Sequence, residues 1–335
     1  MSDAADRPRP ARDARPTHVR APEVSVIIPT YKRAGRLAGV VQALSKQTLS
    51  PERFEVVGVD NFSQDDTFET LLVLAATVPF SMRVLQTESN HGPAPARNLG
   101  WRSATAPIVA FLDDDCLPDP DWLANGLAVM ASDESLGVVQ GRVRTPDDFD
   151  PTNMAPWYHC QIIDGPTPFF EACNIFYRRA ALEATGGFDE GFGWWGEDSA
   201  LGWSVVEGGW ERGFADQATV VHAVVQRGWR WHFDNGLLDR NMMKVARRHR
   251  GFRAEAFWQP WIYRRDDAAF MVAVLGVLAA LRFRPALVLA LPYVWIRRPR
   301  GDVPDPIRFM VESMAVDAAR STGQLRAALD RVRAG

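Results

Sequence analysis

Residues 109–123 of the chain read VAFLDDDCLPDPDWL, an apolar run that leads directly into three consecutive aspartates. The apolar run predicts a buried β-strand that ends where the aspartates begin. Neighbouring carboxylates repel one another unless water or a cation relieves the repulsion. Asp113 and Asp115 stand one residue apart, so both can face one hard cation, and Mg²⁺ and Mn²⁺ prefer such oxygen ligands. The stretch therefore predicts a strand end that holds a divalent metal ion.

The composition of the chain is that of an ordinary globular protein. It has 335 residues, of which 47% are hydrophobic and 24% are charged, and its formal net charge is −3. Because there is no excess of positive charge, we expect no nucleic-acid partner. The cysteines Cys116, Cys160 and Cys173 show no paired spacing, which indicates reduced thiols. The residues near the N-terminus form no apolar leader, and we expect a cytoplasmic protein.

Strand-like and helix-like segments alternate along the first third of the chain. Apolar runs typical of buried strands are EVSVIIPTY (residues 23–31), FEVVGVD (54–60), MRVLQ (82–86) and PIVAFL (107–112). Segments with apolar residues at helical spacing follow the first two runs, and a third helix is expected from about Ala96. This order predicts an α/β fold with a mostly parallel sheet flanked by helices.

Polar side chains stand at the C-terminal ends of three of these predicted strands, at Thr30, at Asp60 and at Asp113 to Asp115. Polar residues at strand ends often only cap turns. Polar clusters at three strand ends are nevertheless more than the amino-acid composition alone would produce. Open α/β sheets bind their ligands at this edge. The chain contains neither a P-loop nor a GxGxxG loop. A bound nucleotide would therefore be held by the strand ends themselves.

We expect three regions along the chain. Residues 1–22 consist mostly of Ala, Arg, Asp and Pro and predict a disordered tail. Residues 23–235 predict the sheet-bearing domain. Residues 236–335 predict a helical C-terminal region, which ends in an amphipathic helix over residues 307–334.

Residues 270–296 form an apolar stretch in which two segments flank Arg282 and Arg284. Neither segment alone reaches the roughly 20 residues that span a bilayer. One continuous span would place both arginines inside the membrane, at a cost of about 2.5–3.5 kcal/mol each. The pattern favours either an interfacial hairpin in peripheral contact with the inner face of the cell membrane or a hairpin packed on the main domain.

Six stretches together resemble the family 2 glycosyltransferases, which have the GT-A fold. They are VSVIIPTYKR, VVGVDNFSQDDT, NHGPAPARNLG, FLDDDC, GGFDEGFGWWGEDSALGWSV and VVHA, in the family's order and spacing. Each stretch alone is a weak signal, whereas the set is specific. The resemblance implies a GT-A domain with a C-terminal helical extension, and an inverting glycosyltransferase that uses Mn²⁺ or Mg²⁺.

The resemblance also implies roles on the donor side of the site. It assigns Pro29, Thr30 and Tyr31 to the nucleoside, Arg33 to the diphosphate, Asp60 to the base, and Arg97 with Asn98 to the base and ribose pocket. Asp113 and Asp115 are similar to the outer residues of the family's DXD motif. Asp115 is then the direct metal ligand, and Asp113 serves the ribose or the metal. Asp114 is grouped with the donor-binding residues or braces the turn, and His222 resembles a further metal ligand.

On the acceptor side, Glu197 and Asp198 are similar to the ED motif of inverting members. We expect Asp198 to be the general base and Glu197 to hold the acceptor. Trp194 and Trp195 are expected to contact the acceptor, since indole faces stack on sugars. The expected donor is a UDP- or dTDP-sugar, and the acceptor is a hydroxyl of a glycan or a lipid-linked molecule in cell-envelope or surface glycan synthesis.

Two other classes of function stay open at this point. A non-catalytic GT-A-like binding or scaffold protein would be expected to lack the metal or base carboxylates, and this sequence retains them. A nucleotidyltransferase would need a Gly-rich, basic phosphate loop after the first strand. IIPTYKRAG (residues 27–35) matches that pattern only in part.

Overall fold

The computed structural model describes residues 21–150, 157–259, 262–299, 303 and 305–334. The strands are β1 (Val24–Thr30), β2 (Phe54–Asp60), β3 (Ser81–Gln86), β4 (Ile108–Leu112), β5 (Cys116–Pro118), β6 (Leu136–Arg144), β7 (Tyr158–His159), β8 (Asn174–Arg178), β9 (Glu211–His222) and β10 (Val225–Gln226). The α-helices are α1 (Ala34–Leu44), α2 (Thr67–Ala75), α3 (Pro93–Ser103), α4 (Trp122–Ser132), α5 (Arg179–Thr185), α6 (Glu197–Glu207), α7 (Trp229–Leu237), α8 (Asp239–Arg248), α9 (Arg250–Ala256), α10 (Arg265–Ala280), α11 (Leu291–Arg297) and α12 (Pro306–Ala334). Short 3₁₀ helices cover Pro51–Arg53, Glu190–Phe192 and Arg284–Ala290.

The described chain divides into two compact units. Residues up to Arg144 together with Gln161–Ala223 form one unit, called here the sheet unit. Thr145–Cys160 and the residues from Val224 onward form the other, called the helical unit. The expected domain boundaries stay a prediction, and residues 1–20 of the expected tail lie outside the described residues.

The sheet unit is built on a sheet with the strand order β3-β2-β1-β4-β8-β6-β9-β5. Its first four strands are parallel, as the alternation of strands and helices predicts. The other half is mixed, because β8 runs antiparallel to both β4 and β6, and β5 runs antiparallel to β9. The α/β architecture with a mostly parallel sheet and flanking helices is confirmed.

The central strands lie in the core because their sequences are almost continuously apolar. Every residue of β2 and of β4 is buried, which is typical of parallel strands covered on both faces. Helix α3 packs closely on β1 at Gly100, where a Cβ atom would collide with Ile27. Strand β1 ends at Thr30, β2 ends at Asp60, and β4 ends directly before Asp113. The predicted clustering of polar residues at strand ends is therefore confirmed.

The helical unit contains β7, β10 and helices α7 to α12. Strands β7 and β10 form a two-stranded antiparallel sheet. The long helix α12, which corresponds to the expected closing helix, packs against α7, α8 and α10. Among the residues that the structure describes, no helix combines the length and the apolar character needed to cross a membrane.

Candidate active site

The three aspartates after β4 have different surroundings. Asp114 is buried, and the hydroxyl of Thr30 donates a hydrogen bond of 2.6 Å to its Oδ2. This bond joins the ends of the neighbouring strands β1 and β4. Burial raises the pKa of Asp114 to about 7, although Arg33, whose Nη1 lies 3.4 Å from Asp114 Oδ1, acts in the opposite direction. Asp114 thus braces the strand edge, whereas Asp113 pairs with Arg97 and Asp115 pairs with Arg33.

Asp115 lies between two basic groups. Arg33 Nη1 lies 2.8 Å from its Oδ2, and His222 Nε2 lies 3.6 Å from its Oδ1. Burial alone would raise the pKa of Asp115, but His222 and Arg33 outweigh burial and hold the pKa below its usual range. The carboxylate is therefore ionised near neutral pH.

The pairing of β5 with β9 brings His222 to Asp115. Cys116 stands opposite His222 in this ladder, and the Ala223 amide donates to the Asp115 carbonyl oxygen at 2.8 Å. His222 Nδ1 lies 2.7 Å from the Ala223 carbonyl oxygen, which can only accept, so Nδ1 carries the proton. In the neutral ring, Nε2 then presents its lone pair on the side of Asp115.

Ligand atoms of Asp115, Cys116 and His222 lie within 4.8 Å of one another. The carboxylate and the imidazole fit Mn²⁺ or Mg²⁺, with further oxygen ligands from a substrate. The Cys116 thiol fits poorly, since burial holds its pKa well above the usual range and thiolates prefer softer metals.

Arg97, on α3, gathers three carboxylates. Its Nη1 lies 2.9 Å from Glu197 Oε1 and 2.9 Å from Asp198 Oδ1, and its Nη2 lies 3.1 Å from Asp113 Oδ1. Burial would lower the pKa of Arg97, but the three acids raise it, so the guanidinium stays charged. The role in the base and ribose pocket that the resemblance implies for Arg97 stays a prediction.

Glu197 and Asp198 occupy the first turn of α6, which Gly196 precedes with a φ of 98°. Burial raises the pKa of Glu197 to about 8, and burial also raises the pKa of Asp198 against the opposing effect of Arg97. The Ala172 amide donates to Asp198 Oδ2 at 3.0 Å. The side chain of Asp198 is 22% exposed and that of Glu197 only 5%, so Asp198 is the more accessible acid.

Asp60 and Asn98 are both held by neighbouring groups. Asp60 is fully buried and accepts hydrogen bonds from the Ser63 amide and, at 2.7 Å, from Gln86 Nε2. Asn98 donates to the Phe188 carbonyl oxygen at 2.9 Å and to Glu190 Oε1 at 2.8 Å. Asn98 therefore anchors the segment that leads to α6, a contact that the sequence motif does not indicate.

The remaining predicted residues lie near the same edge or in the loop before α6. Pro29 is the penultimate residue of β1, and Tyr31 follows that strand with 36% of its surface exposed. Trp194 is 54% exposed and Trp195 is partly buried, in a loop bounded by Gly193 and Gly196, both at positive φ. Trp194 is thus accessible to a ligand.

Glu171, which was not predicted from the sequence, directly precedes the residue that donates to Asp198. Its Oε2 accepts hydrogen bonds from the Thr167 hydroxyl at 2.5 Å and from Gln140 Nε2 at 3.0 Å. Burial raises the pKa of Glu171, against the effect of the Thr167 hydrogen bond. The available signal was a carboxylate inside the apolar run FFEACNIF (residues 169–176).

Comparison with known proteins matches the chain to glycosyltransferases. The family model described as "Glycosyl transferase family 2" matches residues 25–201. Validoxylamine A glucosyltransferase of Streptomyces hygroscopicus subsp. limoneus is 29% identical over 273 residues, which cover 71% of this chain and 59% of that protein. Glycosyltransferase AglE of Haloferax volcanii is 36% identical over 122 residues, which cover 36% of this chain and 40% of that protein. The chain thus spans less than two thirds of the length of these relatives.

Among solved structures, the mannosyltransferase PcManGT from Pyrobaculum calidifontis, in complex with GDP-Man and Mn²⁺, matches with a TM-score of 0.59 and 24% identity. The match covers 96% of this chain and 90% of that one. Residues 1–349 of Staphylococcus aureus TarS, in complex with UDP, match with a TM-score of 0.50 and 18% identity, over 92% of each chain. These likenesses confirm the predicted GT-A fold class.

Proposed function

The chain belongs to glycosyl transferase family 2, and from this premise we propose that it transfers a sugar from a nucleotide-diphosphate donor to an acceptor hydroxyl, with inversion at the anomeric carbon. One observation carries the proposal. The Arg97 guanidinium joins Asp113 of the acidic turn to Glu197 and Asp198 of α6, so the donor-side acids and the expected base meet in one place.

The metal would be held by Asp115 and His222, with Asp113 close by on the same turn. A bound Mn²⁺ or Mg²⁺ supplies electrostatic stabilisation of the negative charge that develops on the departing diphosphate. Arg33, which contacts Asp115 at 2.8 Å, is positioned to turn its guanidinium toward the diphosphate. The nucleoside of a UDP- or dTDP-type donor would be held at the strand ends, by Pro29, Thr30, Tyr31 and Asp60.

Asp198 serves as the general base in this proposal. As the acceptor oxygen forms its bond to the anomeric carbon, the bond from that carbon to the diphosphate oxygen breaks, and the hydroxyl proton passes to a carboxylate oxygen of Asp198. The positive charge of Arg97 acts to lower the pKa of Asp198 and so opposes burial, which raises it. Glu197, Trp194 and Trp195 would position the acceptor, and Glu171 would support the loop whose amide binds Asp198.

For the acceptor we propose a glycan or a lipid-linked molecule, which would place the protein at the cytoplasmic face of the cell membrane in envelope or surface glycan synthesis. The support is the apolar stretch at residues 270–296. One relative is named for a glucosyl transfer to validoxylamine A. Small-molecule hydroxyls therefore belong in the same acceptor panel.

The two alternatives fit the geometry less well. A binding or scaffold protein has no need for a buried base beside an acidic turn, yet Asp198 and Asp113 share one guanidinium here. A nucleotidyltransferase would bring basic groups to the donor phosphates from a Gly-rich loop after β1. That loop carries Arg33, whose guanidinium instead pairs with Asp115.

The test is a screen of nucleotide sugars with Mn²⁺, in which donor hydrolysis and transfer to the acceptor panel are measured. We expect hydrolysis of one donor class, and a fall in transfer of roughly 10²–10⁴-fold in Asp198→Asn. Asp164→Asn is the matched control, because this side chain is 71% exposed and lies outside the site. Transfer at the wild-type rate by Asp198→Asn would remove it as the base, and hydrolysis of no donor would contradict the whole proposal.

A further inference from the structure

A series of large apolar side chains, called here the hairpin surface, is exposed on helix α10, the 3₁₀ segment Arg284–Ala290 and helix α11. Leu275, Leu278, Leu281, Phe283, Leu291 and Trp295 are each 57% to 81% exposed. Burial of apolar area from water stabilises by about 25 cal/mol per Å². The free energy therefore falls when an apolar phase covers a surface of this kind.

The inward side of the hairpin carries small residues. Ala273, Gly276 and Ala286 are buried, and a Cβ atom on Gly276 would lie 2.7 Å from the Cβ of Leu289. Helix α10 and the 3₁₀ segment therefore pack closely through small side chains, while the large ones point outward. This arrangement, with small residues inside and large apolar residues outside, is typical of helices that face lipid.

Beyond the first turn of α10, which carries Asp266 and Asp267, the charges of the hairpin are all positive. From Ala268 to Pro299 the sequence contains no Asp or Glu, and its charged residues are Arg282, Arg284, Arg297 and Arg298. Arg297 is paired with Asp317 and Asp266. Arg282 and Arg284 are exposed beside Leu281 and Phe283, where long basic side chains can reach phosphate groups while their stems stay in an apolar layer.

Trp295 and Arg298 mark the other end of the surface. Trp295 is 66% exposed, and the Arg298 guanidinium lies 3.5 Å from its ring centroid. Tryptophan with an adjacent cation is enriched at the boundary between acyl chains and headgroups. Apolar side chains in the middle and cations at both ends suit a hairpin that lies in the plane of one leaflet, where both ends stay at the level of the lipid phosphates.

We propose that the hairpin surface docks in the plane of an anionic phospholipid bilayer, with its leucines in the acyl region and its arginines at the lipid phosphates. A second copy of this chain is a poorer occupant, because residues 268–299, which hold the exposed apolar side chains, carry only positive charges and would meet the same charges on the other copy. The inference uses residues of the helical unit alone and does not depend on the proposed transfer reaction.

Co-sedimentation with vesicles tests the charge requirement. We expect the full chain to sediment with vesicles of phosphatidylglycerol and phosphatidylcholine, and much less with phosphatidylcholine alone. Each arginine near an anionic surface contributes roughly fivefold in affinity, so Arg282→Gln with Arg284→Gln should weaken binding about 25-fold at low salt. Equal binding to both kinds of vesicle, or no binding to either, would overturn the proposal.

The apolar requirement needs a second variant. Leu278→Ser with Leu281→Ser and Phe283→Ser should abolish sedimentation and leave the circular dichroism spectrum unchanged. Val73→Ser, at a residue of α2 that is 66% exposed, is the matched control and should bind as the wild type does. Vesicle binding by the triple variant contradicts the proposal. So does a wild-type dimer without vesicle affinity that the triple variant converts to a monomer, because a second copy is then the occupant.

Discussion

Arg97 pairs with three carboxylates of the site. Its buried guanidinium is shared by Glu197, Asp198 and Asp113, which α6 and the turn after β4 contribute. A buried ion pair adds little net stability compared with apolar packing, but loss of one partner leaves uncompensated charge. Arg97 therefore determines both how stable this arrangement is and how readily its acids ionise.

Arg97→Met should destabilise the protein strongly. We expect the free energy of unfolding near neutral pH to fall by about 3–5 kcal/mol, because three carboxylates lose their common partner. Without Arg97, burial raises the pKa of Glu197 and of Asp198 further, so the folded state binds more protons than the unfolded state. The stability of the variant should then increase as the pH falls.

Urea denaturation at neutral and at mildly acidic pH measures this effect. Arg102→Met is the control, since the Arg102 side chain is 54% exposed and the change should cost little at either pH. An Arg97→Met protein as stable as the control at neutral pH would show that the carboxylates do not depend on Arg97.

The rate of transfer should depend on pH through Asp198. A general base must be ionised, and burial raises the pKa of Asp198 above its usual value near 3.9. The rate at saturating donor should therefore fall with decreasing pH at a higher pH than a free aspartate would cause. Initial rates over roughly pH 5 to pH 9 measure this dependence.

Glu197→Gln separates the two neighbouring acids in that profile. Burial raises the pKa of Glu197 to about 8, so any change of rate near pH 8 should disappear in this variant while the acidic fall remains. A profile that stays flat in the acidic range while circular dichroism shows a folded protein would contradict the assignment of Asp198.

For single residues, the sequence predicts which residues lie at the site better than it predicts which side chains contact one another. Thr30, Asp60 and Asp113 to Asp115 were placed correctly, because apolar strands end where their polar residues begin. The three partners of Arg97 could not be predicted, since two of them lie about 100 residues away and meet it only through the fold. Whether the predicted roles of the site residues hold is a question for the variants.

At the scale of elements, two glycine-bearing loops determine where α3 and α6 begin. Gly92 precedes α3 with a φ of 100°, and a Cβ atom there would collide with the Gly193 carbonyl oxygen. Gly193 belongs to the loop that carries Trp194 and leads to α6. The approach of these loops therefore brings the start of α3 close to the loop that carries Trp194.

Gly92→Ala should disturb both helix starts. An L-residue at this φ is strained by about 1–2 kcal/mol, and the collision with backbone adds to this cost. We expect the free energy of unfolding to fall by about 2 kcal/mol or more and transfer to decrease, as measured by urea denaturation and initial rates. Gly35→Ala is the control, because no atom lies within 4 Å of the added Cβ. Equal stability of the two variants would contradict this account.

The elements themselves were largely predictable. The apolar pattern located the four parallel strands, because burial on both faces leaves a continuous apolar run. The antiparallel direction of β8 could not be predicted, since the apolar run NIFYR (residues 174–178) is compatible with either direction. Strand direction depends on the connections between strands, which the residues of a single strand do not encode.

For the molecule as a whole, binding of the nucleotide and the metal should raise the free energy of unfolding. A nucleotide and a metal that bind only the folded protein stabilise it by about 2.7 kcal/mol at a concentration a hundredfold above the dissociation constant. We expect UDP with Mn²⁺ to raise the melting temperature, and Asp115→Ala to remove the shift. Asp164→Ala should keep it. A shift that persists in Asp115→Ala would place the metal elsewhere.

The helical unit includes one segment from the middle of the chain, and the way this segment leaves the sheet unit has a practical consequence. Val143 and Ile163 exchange backbone hydrogen bonds of 2.9 and 3.0 Å, so the chain departs after β6 and returns beside its point of departure. For protein engineering, Thr145–Cys160 can therefore be treated as an insertion between β6 and Ile163. We expect a gene in which a short hairpin turn replaces it to keep the β6 ladder intact.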